Sequence, residues 1–291
     1  MTQSLFLKHT GSEIPVICGA MYPCSNAELV AAVSAAGGIG IVQPLSLIMG
    51  HKQNFQESLV AIQQMTKAPI GMNIITEKSS KIYQQRMEAY LNIALQLGVR
   101  FFVTSLGNPR WVTEKVHSVG GYVYHTVVER KWALKALENG VDGLICVNNR
   151  AGGHAGHKSL ETLFDELSDL KVPLVAAGGL STAADLRHAL LVGYQGIQMG
   201  TRFIATHECS AHSDYKKAIV DANEYDIVLT EKISGVPVSV ILTESVKKMG
   251  LRAGPIARAL LKHPRFKHWA RMFYTLRSFW SLKQAASKGV S

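Results

Sequence analysis

One histidine stands among small residues in the stretch Arg150-Ala151-Gly152-Gly153-His154-Ala155-Gly156. Glycine lets a backbone approach a ligand closely and take up positive φ. Histidine is the side chain most readily poised to move a proton near neutral pH. An apolar run over 143–147 leads straight into this stretch. A short buried strand that opens into a small-residue loop with one histidine can form the floor of an active site. It can equally be a tight turn beside a structural histidine. Two later stretches bear on the choice. Gly178-Gly179-Leu180-Ser181-Thr182 and Met199-Gly200-Thr201-Arg202 each run from an apolar segment into a helix-like one. Backbone N–H groups at such junctions cradle phosphate, and Thr201 adds a hydroxyl. Read blandly, both are ordinary turns. Arg202 either assists a phosphate or pairs with a carboxylate at the rim.

The elements that must position these residues are visible in the hydropathy pattern. Apolar, β-rich runs lie at 15–21, 39–43, 69–74, 101–105, 122–127, 143–147, 173–177 and 196–199. Helix-like stretches separate them at 26–36, 54–66, 81–97, 110–117, 130–139, 159–167 and 182–191, and another follows at 211–222. Continuous apolar strands suit a parallel sheet covered on both faces. Eight β/α units are the count of a (β/α)8 TIM barrel. Glycines at 37–38, 98, 120–121, 140 and 193 follow helix candidates, where glycine favours a stop. The competing open, doubly wound sheet normally shows G-x-G-x-x-G after its first strand. Here that strand ends Gly19-Ala20-Met21-Tyr22. Residues 1–240 are therefore expected to form one α/β barrel domain, with 241–291 as a basic helical extension.

In such a barrel, chemistry sits at the C-terminal ends of the strands. The expected ends are Ala20-Met21, Met72-Asn73, Thr104-Ser105, His125-Thr126, the 151–156 loop, Gly178-Gly179 and Gly200-Thr201-Arg202. Asn73 can hydrogen-bond a ring edge or cap a turn. His125 can hold a proton or pack beside a ligand. His157, His207 and His212 read as surface or structural. No H-E-x-x-H, Cys/His cluster or Asp-x-Asp loop points to a metal. No G-x-S-x-G elbow points to a hydrolase, and there is no P-loop. A phosphate site without a metal inside a barrel points to a phosphorylated cofactor, FMN or pyridoxal phosphate. The latter needs a Schiff-base lysine at a strand end. None is there, which favours flavin.

Charge narrows the partners. The chain of 291 residues has 31 Lys/Arg and 21 Asp/Glu. From Lys247 onward there are 11 basic residues and no acidic one, so the first 246 residues, with 20 and 21, are nearly neutral. The basic character belongs to the C-terminal segment, and a nucleic-acid partner for the barrel is not expected. Within 255–286, Phe266, Trp269, Phe273, Leu276 and Trp280 recur at helical spacing among lysines and arginines. Such a face packs on the barrel, forms a homodimer contact, or lies on an anionic membrane. The scattered Cys18, Cys24, Cys146 and Cys209, with no N-terminal apolar signal, suit reduced thiols in a cytoplasmic protein.

The ordered motifs resemble one family. They are Pro15 to Met21, the stretch Ala27 to Val33, Ala36-Gly37-Gly38-Ile39-Gly40, Ile70-Gly71-Met72-Asn73, Ala151 to Gly156, Ala176 to Gly179, and Gln198 to Phe203. From about residue 13 to 240 they are similar to the nitronate monooxygenase (2-nitropropane dioxygenase) family of FMN-dependent TIM barrels. The same motifs occur in FMN-dependent enoyl-[acyl carrier protein] reductases and in a quinone reductase group. The resemblance implies that Ala20, Met21, Asn73 and Ser105 contact the flavin ring or ribityl chain. It implies that Ala151 and Gly152 lie against the flavin, and that Gly178, Gly179, Gly200 and Thr201 hold its phosphate. His154 is then the catalytic histidine. The implied reaction is oxidation of alkyl nitronates by dioxygen to carbonyl compound and nitrite, with NAD(P)H-linked reduction as the alternative. A non-catalytic flavin-binding barrel with an interaction tail is the reading outside enzymes. Three departures stand out: Arg150 where many relatives have Glu, Thr126 where some have Lys, and the basic extension.

Overall fold

The computed structural model describes residues 4–76, 81–233, 236–252 and 254. Eight parallel strands close into a barrel in chain order. They are β1 (Val16–Cys18), β2 (Ile39–Val42), β3 (Gly71–Ile75), β4 (Phe101–Ser105), β5 (Tyr122–Val127), β6 (Gly143–Val147), β7 (Leu174–Ala177) and β8 (Gly196–Met199). Closure is made by β1 on β8, with Ile17 opposite Gln198 and Cys18 opposite Met199. The helices between strands are α2 (Ala27–Ala35), α3 (Phe55–Met65), α4 (Lys81–Gln96), α5 (Arg110–His117), α6 (Arg130–Leu137), α7 (Leu160–Leu167) and α8 (Ala183–Val192). Each falls within a residue or so of its expected span, and the architecture is the expected (β/α)8 barrel.

Five elements were not read from the sequence as such. Helix α1 (Leu5–Thr10) precedes β1. After β8 come the short α9 (Thr201–Ile204), then α10 (Ser213–Asp221) on the expected stretch. Beyond it an antiparallel hairpin, β9 (Ile227–Thr230) and β10 (Val238–Ile241), leads into α11 (Glu244–Met249). The amphipathic stretch 255–286, expected to be helical, lies outside the described residues. Among the described residues no helix is long and apolar enough to cross a membrane.

Side chains alternate across each strand, and this divides the core in two. Val42, Met72, Ile74, Phe102, Val123, Leu144, Cys146, Leu174, Ala176 and Ile197 belong to the cluster between barrel and helices. Ile17, Ile39, Ile41, Phe101, Val103, Tyr124, Ile145, Val147, Val175 and Ala177 fill the barrel itself. The inner cluster is closed at the N-terminal end by α1. Phe6, fully buried, meets Phe101 and Tyr124 edge-on at centroid separations of 6.4 and 6.0 Å. Room for these rings comes from glycines. A Cβ at Gly143 would lie 2.5 Å from the Tyr124 ring, and one at Gly71 3.0 Å from Phe101. Burying a phenylalanine of this kind contributes roughly 2–3 kcal/mol. The lower half of the barrel is thus a packed plug, and only the upper half is open to chemistry.

Candidate active site

The same alternation decides what faces the upper mouth. On β3, Met72 and Ile74 point to the helices, so Asn73 points inward. It is 7 % exposed and, among the described residues, its amide has no hydrogen-bond partner. No fully buried side-chain polar atom lacks a partner among the described residues, so this amide reaches solvent at the mouth and is open to water or to a polar ligand. On β4 the inward series is Phe101, Val103 and therefore Ser105; on β5 it is Tyr124 and therefore Thr126. His125 and Thr104 fall on the outer face. They share a 2.8 Å hydrogen bond between His125 Nδ1 and Thr104 Oγ1, and burial pushes the imidazole pKa down to about 4. His125 is thus a neutral packing residue behind the strands, so it neither holds a proton in the site nor packs beside a ligand there.

Loops from four strands converge over the inner core. Met21, after β1, is held by a hydrogen bond from its N–H to Ser25 Oγ (2.8 Å) and by Ser46 Oγ, which donates to its carbonyl (3.1 Å). Its Sδ lies 3.3 Å from where a Cβ on Gly200 would stand. A Cβ on Gly152 would stand 3.3 Å from Thr201 Oγ1, and one on Gly178 2.8 Å from the Ala151 nitrogen. Ala20 and Ala151 roof the inner cluster. Met21, Ala151, Gly152, Gly178, Gly179, Gly200 and Thr201 therefore form one continuous arc, and Asn73 and Ser105 face it across the barrel, on β3 and β4. Small residues leave backbone N–H groups open to close approach, and the facing wall offers unspent polar groups.

The two glycine turns differ in what they can bind. Helix α8 is capped by its own residues. Asp185 Oδ2 accepts from the Ser181 and Thr182 N–H groups (both 2.8 Å) and from the Thr182 hydroxyl (2.9 Å). The amides at 181–182 are spoken for by a carboxylate, so among the described residues of that junction the amides of Gly178, Gly179 and Leu180 remain open to an anion. At α9 the Gly200 cap makes no side-chain hydrogen bond. Arg202 lies exposed on α9, with no carboxylate partner among the described residues.

His154 sits at the crest of the loop after β6. Gly153, at φ +74°, exchanges two backbone hydrogen bonds with Ser239 of β10 (3.0 and 2.8 Å). The hairpin thereby holds the histidine loop from outside. The ring of His154 is open to solvent, yet surrounding atoms desolvate its charged form and lower its pKa, as expected in the wall of a concavity. Desolvation thus favours the neutral ring, which is able to accept a proton. A separate groove of about 450 Å³ opens at the opposite end of the barrel along His9, Thr10, Lys67 and Arg100. It is remote from every strand end that carries chemistry, so roominess does not mark the site here. Among the described residues no cluster of ligands could hold a metal ion.

Sequence reasoning missed Asn148, the residue that ties the loops together. It is 2 % exposed. Its Nδ2 donates to the Gly178 carbonyl (2.9 Å), its Oδ1 accepts from the Arg150 N–H (2.8 Å), and its carbonyl accepts from the Gly156 N–H (3.0 Å). The signal was present: an asparagine directly after a buried strand, set to bond the N–H two residues on.

Comparison with known proteins agrees with this geometry. The family profile described as nitronate monooxygenase matches residues 3–288. A Mycobacterium tuberculosis protein described as (3aS,4S,5R,7aS)-5-hydroxy-7a-methyl-1-oxo-octahydro-1H-indene-4-carboxyl-CoA dehydrogenase is 28% identical, over 90% of this chain and 73% of that protein. A probable nitronate monooxygenase of Staphylococcus saprophyticus is 26% identical, over 81% of this chain and 77% of that protein. Among solved structures, FabK from Thermotoga maritima superposes with a TM-score of 0.79 at 25% identity, covering 100% of this chain and 86% of that one. A nitroalkane oxidase from Streptomyces ansochromogenes shares the fold with a TM-score of 0.71 at 22% identity, covering 92% and 88%.

Proposed function

This chain belongs to the nitronate monooxygenase family of oxidoreductases, and from that premise we propose that it is an FMN-dependent enzyme oxidising alkyl nitronates with dioxygen to carbonyl compound and nitrite. Family membership sets aside the non-catalytic barrel. The observation that supports the reading most directly is the placement of a neutral histidine loop beside the arc of small residues from the loops after β1, β7 and β8.

FMN, when bound, supplies the redox chemistry between nitronate and dioxygen. In this reading the N–H groups of Gly178, Gly179, Gly200 and Thr201, with the Thr201 hydroxyl, hold its phosphate. Ala20, Met21, Ala151 and Gly152 lie against the ring system, and Asn73 and Ser105 hydrogen-bond it from the facing wall. His154 acts on the substrate. Toward a neutral nitroalkane it accepts the proton on the carbon bearing the nitro group. Toward a nitronate, already deprotonated, its ring N–H donates to the nitro oxygens, where negative charge resides. His154→Ala is expected to retain FMN, seen in the visible spectrum, and to lose about 100-fold in turnover of neutral nitroalkane. Unchanged kinetics would remove the histidine from the reaction.

The likeness to a protein named as a carboxyl-CoA dehydrogenase, and to FabK, supports a second reading as an NAD(P)H-linked reductase. Anaerobic stopped-flow mixing with propyl-2-nitronate, NADH and NADPH separates the two. Flavin bleaching by nitronate alone supports the monooxygenase, and bleaching by a pyridine nucleotide alone supports the reductase.

A further inference from the structure

Arg150 lies where the loop after β6 crosses the loop after β7. Its backbone N–H is fixed on Asn148 Oδ1, so the start of its side chain is set by a buried anchor. From there the stem runs flat over Gly179. A Cβ on that glycine would stand 2.6 Å from Arg150 Cβ, 3.3 Å from Cδ and 3.1 Å from Nε. Any side chain at 179 would lift the arginine away, and the φ of +68° at Gly179 favours glycine. The guanidinium therefore rests on one of the residues of that turn whose amides remain open.

One contact of the guanidinium is already made. Nη2 donates to Glu224 Oε2 at 3.3 Å, with the two side chains 65% and 66% exposed. A long ion pair in solvent contributes little, and a guanidinium has five N–H donors in a planar fork matched to phosphate. The loop also needs a cation. Asp185, with its carboxylate on the amides of Ser181 and Thr182, puts negative charge just beyond Gly178–Gly179. A phosphate dianion on those glycines would otherwise meet that charge unopposed.

We propose that Arg150 is a phosphate-binding residue, closing from above on the 5′-phosphate of the flavin cofactor, with Glu224 as the counter-ion that the phosphate displaces. The proposal rests on the FMN reading above. Riboflavin, which has the same ring and ribityl chain and no phosphate, isolates it. The test is a fluorescence titration of full-length protein, stripped of flavin, with FMN and with riboflavin, at low and high ionic strength. Arg150→Ala is expected to weaken FMN ~10-fold and riboflavin less than about 2-fold. It should also flatten the salt dependence of FMN binding, since the screened charge is gone. Arg150→Lys, a point charge without the fork, should fall between, and Glu224→Gln should bind FMN slightly more tightly than wild type. Equal weakening of both flavins by Arg150→Ala would make the arginine a loop-packing residue and overturn the proposal. Unchanged FMN binding would reduce it to a rim partner of Glu224 and overturn it too. A wild-type chain that binds neither flavin would instead refute the cofactor reading on which the proposal stands.

Discussion

The two ends of this barrel use the same strands for opposite purposes. At the N-terminal end the inward positions carry Phe101 and Tyr124, and Phe6 of α1 is driven between them. At the C-terminal end, two to four residues further along the strands, the inward positions carry Asn73, Ser105, Thr126 and the glycine turns. One half converts side-chain volume into stability. The other withholds volume, so that a ligand can complete it.

If the division is real, the halves can be damaged separately. The largest effect is expected from Phe6→Ala, which removes a fully buried ring from the plug. Stability to urea should fall by ~3–5 kcal/mol. Flavin affinity, measured where the variant is still folded, should stay within about 2-fold. A parallel loss of flavin affinity would show that the plug also shapes the mouth and would break the comparison.

A smaller effect of the opposite kind is expected at Asn148. It belongs to the upper half yet is buried like a core residue, because it holds the Gly178 carbonyl and the Arg150 N–H in their places. Asn148→Ala leaves both groups without their partner and should cost ~2–3 kcal/mol. Unlike Phe6→Ala, it should also speed flavin dissociation, since the loops after β6 and β7 are no longer tied. Asn148→Asp sharpens the assignment. It keeps an acceptor for Arg150 and sets a carboxylate oxygen against the Gly178 carbonyl. Loss of stability in these variants with an unchanged off-rate would put Asn148 in the packing class.

Those two residues also mark where the sequence was legible and where it was not. The strands were readable because eight apolar runs bury both faces, so composition alone marks them; β4, β5, β6 and β8 occupy their expected spans. The arc from Met21 to Thr201 was readable because glycines and small residues at strand ends have few other uses. Helix α1 was not, since six residues with two apolar anchors, Phe6 and Leu7, look like an ordinary terminus until the hole beneath the barrel is seen. The β9–β10 hairpin was not, because its strands are four residues long and half exposed, and its tie to Gly153 is made by backbone atoms that carry no sequence signal. The capping of α8 by Thr182 and Asp185 was present in the sequence as a T-x-x-D box, and reading it would have taken the amides of Ser181 and Thr182 out of the phosphate cradle.

The sharpest division lies within the upper half, between the two sides of one strand. Thr126 faces the mouth and His125, one residue earlier, faces the helices. A histidine facing the mouth would be solvated or ligand-bound and would titrate near 6.5. One held behind the strand stays neutral, with its pKa pushed down to about 4 by burial. The sign of the consequence is fixed. The folded state refuses a proton that the unfolded chain accepts below about 6.5, so stability contributed by the neutral ring is intact above that pH and is lost as pH falls from 6.5 toward 4. Between pH 7 and pH 5 the loss should be about 2 kcal/mol. His125→Gln can still hydrogen-bond Thr104 and carries no titrating proton, so the difference between its urea-unfolding profile and that of wild type isolates this one group from His9 and His154. A slope between pH 7 and 5 that is steeper in wild type than in His125→Gln is the expected result. Matching slopes would mean that the ring is solvated, and therefore that the alternation placing it behind the barrel wall, rather than in the site, is wrong at this strand.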